Sequence, residues 1–216
     1  YTNALSDGKK CAIHTTFSSN SNWPYDWSSY CEGYTYVPDD NFEQALIDLG
    51  YDDTLDDQVL TANISGVTSL NVNSREISDL TGIEGFSALT KLWCVVNELT
   101  SLDMSSNTAL TDLSCGHNEL TSLDMSSNTA LTYLDCDNNP LTSLDVSSNT
   151  ALTELQCYSN QLTSLDVTNN TALDTLICNN NQLTSLDVSA NTVLTRLECN
   201  SNQLSVLDLS YNPVVN

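Results

Sequence analysis

Six consecutive segments of 21 residues, running from Leu89 to Val214 without insertion or deletion, constrain this chain more than anything else in it. Residues 110–130 read LTDLSCGHNELTSLDMSSNTA and residues 152–172 read LTELQCYSNQLTSLDVTNNTA, with a looser 22-residue segment, 67–88, ahead of them. A fixed period of this length makes each segment one coil of a stack, because a single coil cannot enclose its own apolar faces. Leu110, Leu113 and Cys115 are spaced three and two apart. That turns them inward from a short strand and its approach, while Thr111, Asp112 and Ser114 face out. Each coil buries about seven apolar side chains, and a fully buried leucine contributes roughly 1.5–3 kcal/mol. Seven coils at the ~4.8 Å strand spacing make a rod of roughly 35 Å.

The pattern LxxLxCxxNxL, with Cys at the usual third Leu, resembles the leucine-rich repeat. Residues 77–92, ISDLTGIEGFSALTKL, are similar to the internalin type, and the LTSLDVSSNTALTELxC segments resemble repeats of secreted Bacteroidota proteins. This resemblance spans about residues 38–216 and implies a role in attachment, recognition or matrix building. The fold expected is an α/β solenoid, a right-handed superhelix with a parallel β-sheet, a short helical N-terminal cap and a small disulfide-containing N-terminal segment. Its divisions are 1–37, the aromatic-rich segment; 38–66, the helical cap; and 67–216, the solenoid. The solenoid units are 67–88, 89–109, 110–130, 131–151, 152–172, 173–193 and 194–214.

Solenoid ends expose apolar edges that need covers. Asp39–Gly50 reads as a capping helix, with Asp40 as N-cap, Glu43 three residues on and Gly50 at the stop. Phe42, Ala45, Leu46 and Leu49 fall on one face at helical spacing, and a second short helix is expected around 55–62. Cys11 and Cys31 are the only cysteines off the 21-residue ruler, and we expect them to form a disulfide, which implies an oxidising compartment. Trp23, Tyr25, Trp27, Tyr30, Tyr34 and Tyr36 around them serve either a small stapled core or a surface for stacking on sugars. Nothing caps the far end after Val214 and Val215, so either the native protein continues or another molecule covers this edge. Tyr1 opens directly into polar sequence, which reads as an already processed chain.

Several residue columns recur on the same ruler. Asn97, Asn118, Asn139, Asn160, Asn181 and Asn202 form one, and Asn107, Asn128, Asn149, Asn170, Asn191 and Asn212 another; both read as turn frameworks that satisfy backbone groups. Cys94, Cys115, Cys136, Cys157, Cys178 and Cys199 read as buried free thiols. Strands ~4.8 Å apart hold them too far for the ~3.8 Å Cβ separation of a disulfide, and they lack the C-x2-C spacing of a metal site. Asp103, Asp124, Asp145, Asp166, Asp187 and Asp208 face solvent as a like-charged stack. Hydrogen bonding with screening, or calcium bridging adjacent rungs, would compensate them. Asp52, Asp53, Asp56 and Asp57 form a further calcium candidate without the order of an EF-hand loop. Calcium is the one cofactor these residues suggest.

Composition narrows function. Against 28 acidic residues stand 5 basic ones, a formal net charge of −23, which excludes nucleic acid and anionic membranes as natural partners. No apolar run reaches the roughly 18–20 residues of a membrane helix. His14 and His117 lie in different regions, and no H-E-x-x-H, G-x-S-x-G or glycine-rich phosphate loop occurs, so catalysis is not expected.

The half-repeat LTSLDVSSNTA hardly changes from coil to coil, whereas outward positions of the strand half vary. Candidate binding residues among them are Lys91, Trp93, Val95, Val96, His117, Tyr133, Glu154, Tyr158, Ile177 and Arg196; Asp112, Ser114, Asp135, Asp137 and Gln156 vary likewise. Recognition or unconstrained drift would each give this contrast. The resemblance places these residues on a concave sheet that commonly serves recognition. The function expected is a non-catalytic extracellular, secreted or cell-surface scaffold binding protein or glycan. The alternative is a structural subunit joined head to tail through the uncapped edge into a fibre.

Overall fold

The computed structural model describes residues 33–215. Cys11, Cys31 and the aromatic residues up to Tyr30 lie outside this range, and so does the expected disulfide.

Seven short strands form one parallel sheet in strict chain order: β3 (Ser69–Asn71), β4 (Lys91–Trp93), β5 (Asp112–Ser114), β6 (Tyr133–Asp135), β7 (Glu154–Gln156), β8 (Thr175–Ile177) and β9 (Arg196–Glu198). The register steps by 22 residues from β3 to β4 and by 21 thereafter, so Leu70, Leu92, Leu113, Leu134, Leu155, Leu176 and Leu197 align. Each strand is only three residues long because the next residues leave the sheet at a turn. At that turn Val96, His117, Asn138, Ser159, Asn180 and Ser201 take left-handed backbone, with φ between 48° and 58°. Asn tolerates this conformation, whereas β-branched Val96 is strained by it.

The core is a file of leucines closed by cysteine. Leu110, Leu113, Cys115, Leu120 and Met125 in one coil are fully buried, and the equivalents in the next coils repeat them. Cys94, Cys115, Cys136, Cys157 and Cys178 are buried free thiols and Cys199 is partly exposed. Burial pushes Cys94 and Cys178 up to about 12, so these sulfurs behave as small apolar fillers.

Both asparagine columns are structural, in different ways. In the first, the Asn118 amide donates to the carbonyls of Cys94 in the preceding coil and Cys115 in its own, each at 3.0 Å. Its Oδ1 accepts the Leu99 N–H at 3.1 Å. In the second, the Asn128 amide donates to Met104 and Asn107 carbonyls, while its buried Oδ1 has no partner among the described residues.

The cap combines an antiparallel pair, β1 (Tyr34–Tyr36) with β2 (Gln58–Leu60), and two helices, α1 (Asp40–Asp48) and α2 (Thr61–Ile64). The pairing of β1 carries the cap back to Tyr34, ahead of the boundary expected at 38, and the region expected as a helix around 55–62 divides into β2 and α2. Asp39, not Asp40, is the N-cap: its Oδ1 accepts the N–H groups of Asn41 and Phe42. Its Oδ2 takes three donors, Ser78 N–H, Ser78 hydroxyl and Asp79 N–H, so one carboxylate both starts the helix and fastens it to the first coil. That double duty keeps Asp39 below its ordinary range despite burial, the Ser78 hydrogen bond acting first. Phe42, Ala45 and Leu46 cover the solenoid end as expected, with the Phe42 and Phe86 rings 6.4 Å apart. Leu49 is 42% exposed instead, because the helix closes there as Gly50 turns away at φ 79°.

Candidate functional site: the open face of the sheet

The first and third residues of each strand project from the sheet away from the leucine core, and those of β4 to β9 form six variable pairs. Lys91 and Trp93 stand on β4, Tyr133 on β6, Glu154 on β7, Ile177 on β8 and Arg196 on β9. Val95, Val96, His117 and Tyr158 lie just past their strands, in the turn, at the margin of this face. The candidates do not form one exposed apolar surface. Ile177 is only 6% exposed. Lys91 reaches Asp112 at 3.2 Å and Arg196 donates through Nε to Glu198 at 2.9 Å; both cations are thus engaged within the face.

The dense chemistry lies at the centre. Asp135 and Asp137 project on the same side, with the Asp137 N–H donating to Asp135 Oδ1 at 3.2 Å. Asp137 is 2% exposed. Its carboxylate occupies the space left by Gly116 in the preceding coil, where any Cβ would overlap it. Asn138 donates to Asp137 Oδ2, the His117 Nε2 stands 3.5 Å from the same oxygen, and Asn138 Nδ2 lies 3.2 Å from that Nε2. The side chain of Asp137, one coil back, and then burial hold the Tyr158 hydroxyl above the ordinary phenol range. Gln156 donates to the Tyr133 hydroxyl at 3.3 Å and to Glu154 Oε1 at 2.7 Å.

Burial, then the hydrogen bond to Asp137 and the charge of Asp137, push Asp135 up to about 7. A neighbouring carboxylate disfavours the charged form, so Asp135 keeps a share of its proton near neutral pH. Tyr133 is raised as well, by burial and then by Asp135. The arrangement sets two carboxylates beside two tyrosines on the sheet face, a combination suited to a cationic group.

Asp135 and Asp137 were visible in the sequence only as variable positions, not as binding candidates. The available signal was the 21-residue column Gly116–Asp137–Tyr158, in which a missing side chain precedes an acid and an aromatic follows it.

The Asp103–Asp208 column lies elsewhere, on the turns that follow each coil's second leucine-rich half. Each Oδ1 accepts the N–H two residues on, at 2.9 Å, from Ser105, Ser126, Ser147, Thr168, Ser189 and Ser210. These bonds hold Asp103, Asp145, Asp166 and Asp187 below the usual carboxylate range, the side-chain hydroxyl first, and Asp124 and Asp208 likewise, the backbone N–H first. Hydrogen bonding thus engages one oxygen of each carboxylate in this column. Shallow grooves between successive rungs, lined by Ser101, Asp103, Ser122 and Asp124, recur with the period.

Residues 108–149 match the family model for leucine-rich repeats in two copies. Over 76 residues, 34% of this chain and 8% of the relative, the sequence is 45% identical to internalin J of Listeria monocytogenes serotype 4b (strain F2365). Among solved structures, the functional domain of InlJ from Listeria monocytogenes, described as including a cysteine ladder, aligns with TM-score 0.67 and 40% identity. That alignment covers 84% of this chain and 46% of the other. Internalin C2 of the same species aligns with TM-score 0.62 at 19% identity, covering 82% and 89%. A leucine-rich-repeat protein of Leptospira interrogans aligns with TM-score 0.55 at 21% identity, covering 71% and 49%. The chain thus spans less than half of the InlJ domain it matches and a small part of the full-length relative. Among the described residues no helix is long and apolar enough to cross a membrane.

Proposed function

Because the chain is an internalin-like bacterial leucine-rich-repeat solenoid, we propose that it is a non-catalytic scaffold, secreted or held at a cell surface, that binds a protein through the open face of its sheet. The coarser part, a protein-binding scaffold, is what an internalin-like fold supports. The finer part rests on one observation: the variable face concentrates two carboxylates and two tyrosines at its centre, while the rest of each coil repeats. The partner fitted to this face presents lysine or arginine side chains, which would displace the proton of Asp135 and lie against Tyr133 and Tyr158. Aromatic side chains concentrate binding energy in such settings, and the acidic field raises the rate of encounter with a basic surface.

The test is an array of extracellular proteins probed with the intact chain and with a variant carrying Tyr133→Ala and Tyr158→Ala. Specific binding that falls at least about tenfold in the variant supports the assignment. Binding retained in full, or binding confined to glycans, refutes it. Light scattering across concentration, run alongside, separates the head-to-tail alternative: mass that grows while the array stays blank assigns the chain to assembly.

A further inference from the structure

Each coil passes through the same left-handed turn just after its strand, because the stack bonds it there. The N–H of Val96 donates to Gly116, that of His117 to Asp137, that of Asn138 to Tyr158 and that of Ser159 to Asn179. The backbone conformation is therefore imposed by the fold, and only the side chain is free to vary. Ser74, His117, Asn138, Ser159, Asn180 and Ser201 all place a polar residue at this turn; Val96, at φ 58°, is the exception. A β-branched side chain in left-handed backbone is strained, and asparagine would sit there at lower cost.

Val96 gains nothing inside the molecule in return. It is 51% exposed and stands apart from the apolar core. Between residues 61 and 192 no other large hydrophobic side chain is exposed. Strain and exposure thus coincide at one position on the margin of the open face. Trp93 and Val95, both half-buried, belong to the same coil. Two coils on, the equivalents of Trp93 and Val95 are Asp135 and Asp137, with Ser114 and Gly116 between. An apolar group and an acidic pair therefore share the same two columns, about 10 Å apart at the ~4.8 Å strand spacing. The chain has 28 acidic residues against 5 basic ones. Lys91 and Arg196 on the face are paired with Asp112 and Glu198, so a cation for the acidic pair has to come from another molecule.

We propose that Trp93, Val95 and Val96 seat an apolar side chain of the protein partner whose lysine or arginine meets Asp135 and Asp137. This rests on the protein-binding reading of the open face and adds the partner's chemistry: one apolar and one basic side chain about 10 Å apart on one side of a segment. A helix presents such a pair at positions seven apart, a rise of about 10.5 Å. The occupant is thus a basic amphipathic helix laid across the strands, over Ser114 and Gly116.

The experiment pairs stability with binding. Val96→Asn should raise the unfolding midpoint, because asparagine accepts the turn that valine resists. A lower midpoint would show that the valine serves the fold and would overturn the proposal. The binding probe is a fluorescein-labelled, alanine-based helical peptide with leucine and lysine seven residues apart, titrated against the intact chain. Two further peptides carry serine for the leucine or glutamate for the lysine. The leucine–lysine peptide should bind, Val96→Asn should weaken it about fivefold or more, and the serine peptide should be indifferent to Val96→Asn. Equal effects of Val96→Asn on the leucine and serine peptides, or no binding at millimolar peptide, overturn the anchor. Asp135→Asn and the glutamate peptide report the acidic centre separately. Affinity lost there but unchanged by Val96→Asn removes the anchor and leaves the reading of the face in place. Affinity indifferent to both overturns that reading, and with it the paired partner.

Discussion

The two asparagine columns look alike in the sequence, yet the structure assigns them unequal weight, and the difference can be measured. Replacing Asn139 by Ala removes amide donation to the carbonyls of Cys115, Cys136 and Asp137 and the acceptor of the Leu120 N–H. The carbonyls keep other donors: Asn118 still serves Cys115, Asn160 serves Cys136, and the His117 N–H serves Asp137. The Leu120 N–H does not. A buried donor left unpaired costs about 1–3 kcal/mol, and the weakened carbonyl pairing about 1 kcal/mol more. Asn149→Ala deletes two amide bonds, to Met125 and Asn128. Both carbonyls retain backbone donors, Asn128 N–H and Leu131 N–H, and the substitution also removes an Oδ1 that had no partner. Its expected cost is about 1 kcal/mol. Urea unfolding followed by far-ultraviolet dichroism, with stability taken from midpoint and slope, should therefore rank Asn139→Ala below Asn149→Ala by about 1–3 kcal/mol. Equal losses, or the reverse order, would refute the claim that the stranded Leu120 N–H sets the difference.

Three further outcomes follow from the face and core. Gly116→Ala should destabilise by about 1–3 kcal/mol through overlap with the Asp137 carboxylate, and adding Asp137→Ala should recover most of it; additive losses would show that the two positions do not meet. Asp135 titrates near 3.8 in an unfolded chain and about 7 in the folded one. As pH rises through that window the unfolded chain releases a proton that the folded chain keeps, so this residue's contribution to stability falls. Asp135→Asn should flatten that part of the stability profile, and an unchanged slope would count against the pairing. Of the six repeat thiols, Cys199 should react first with an aromatic disulfide reagent under native conditions, because the other five are buried; prompt labelling of Cys136 would contradict the packing.

The periodic part of the fold is legible because the same constraint recurs in every coil: an inward leucine, a buried thiol, and an amide at each corner. Single positions are harder to read. Asp39 and Asp40 are adjacent acids, and only the position of Ser78 across the cap distinguishes the one that caps α1. Leu49 keeps the helical spacing of Phe42 and Leu46 but lies where the helix has already ended. On the sheet, Ile177 holds an outward strand position, yet it is buried. The burial of Asp137 depends on the absence of a side chain 21 residues earlier, and the alternation within one strand carries no record of that.

The first asparagine column has a direction. Asn118 reaches back to Cys94 and Leu99, Asn139 to Cys115 and Leu120, and Asn97 to Val72, Arg75 and Ile77. Each corner amide is thus completed by the coil before it. A coil copied onto the far end finds its acceptors and donors ready, whereas one inserted between the cap and the first coil must also replace the fastening that Asp39 makes to Ser78 and Asp79. The molecule therefore has a rooted end and an extensible one. Its reach can change by whole turns while the cap and every established corner remain as they were.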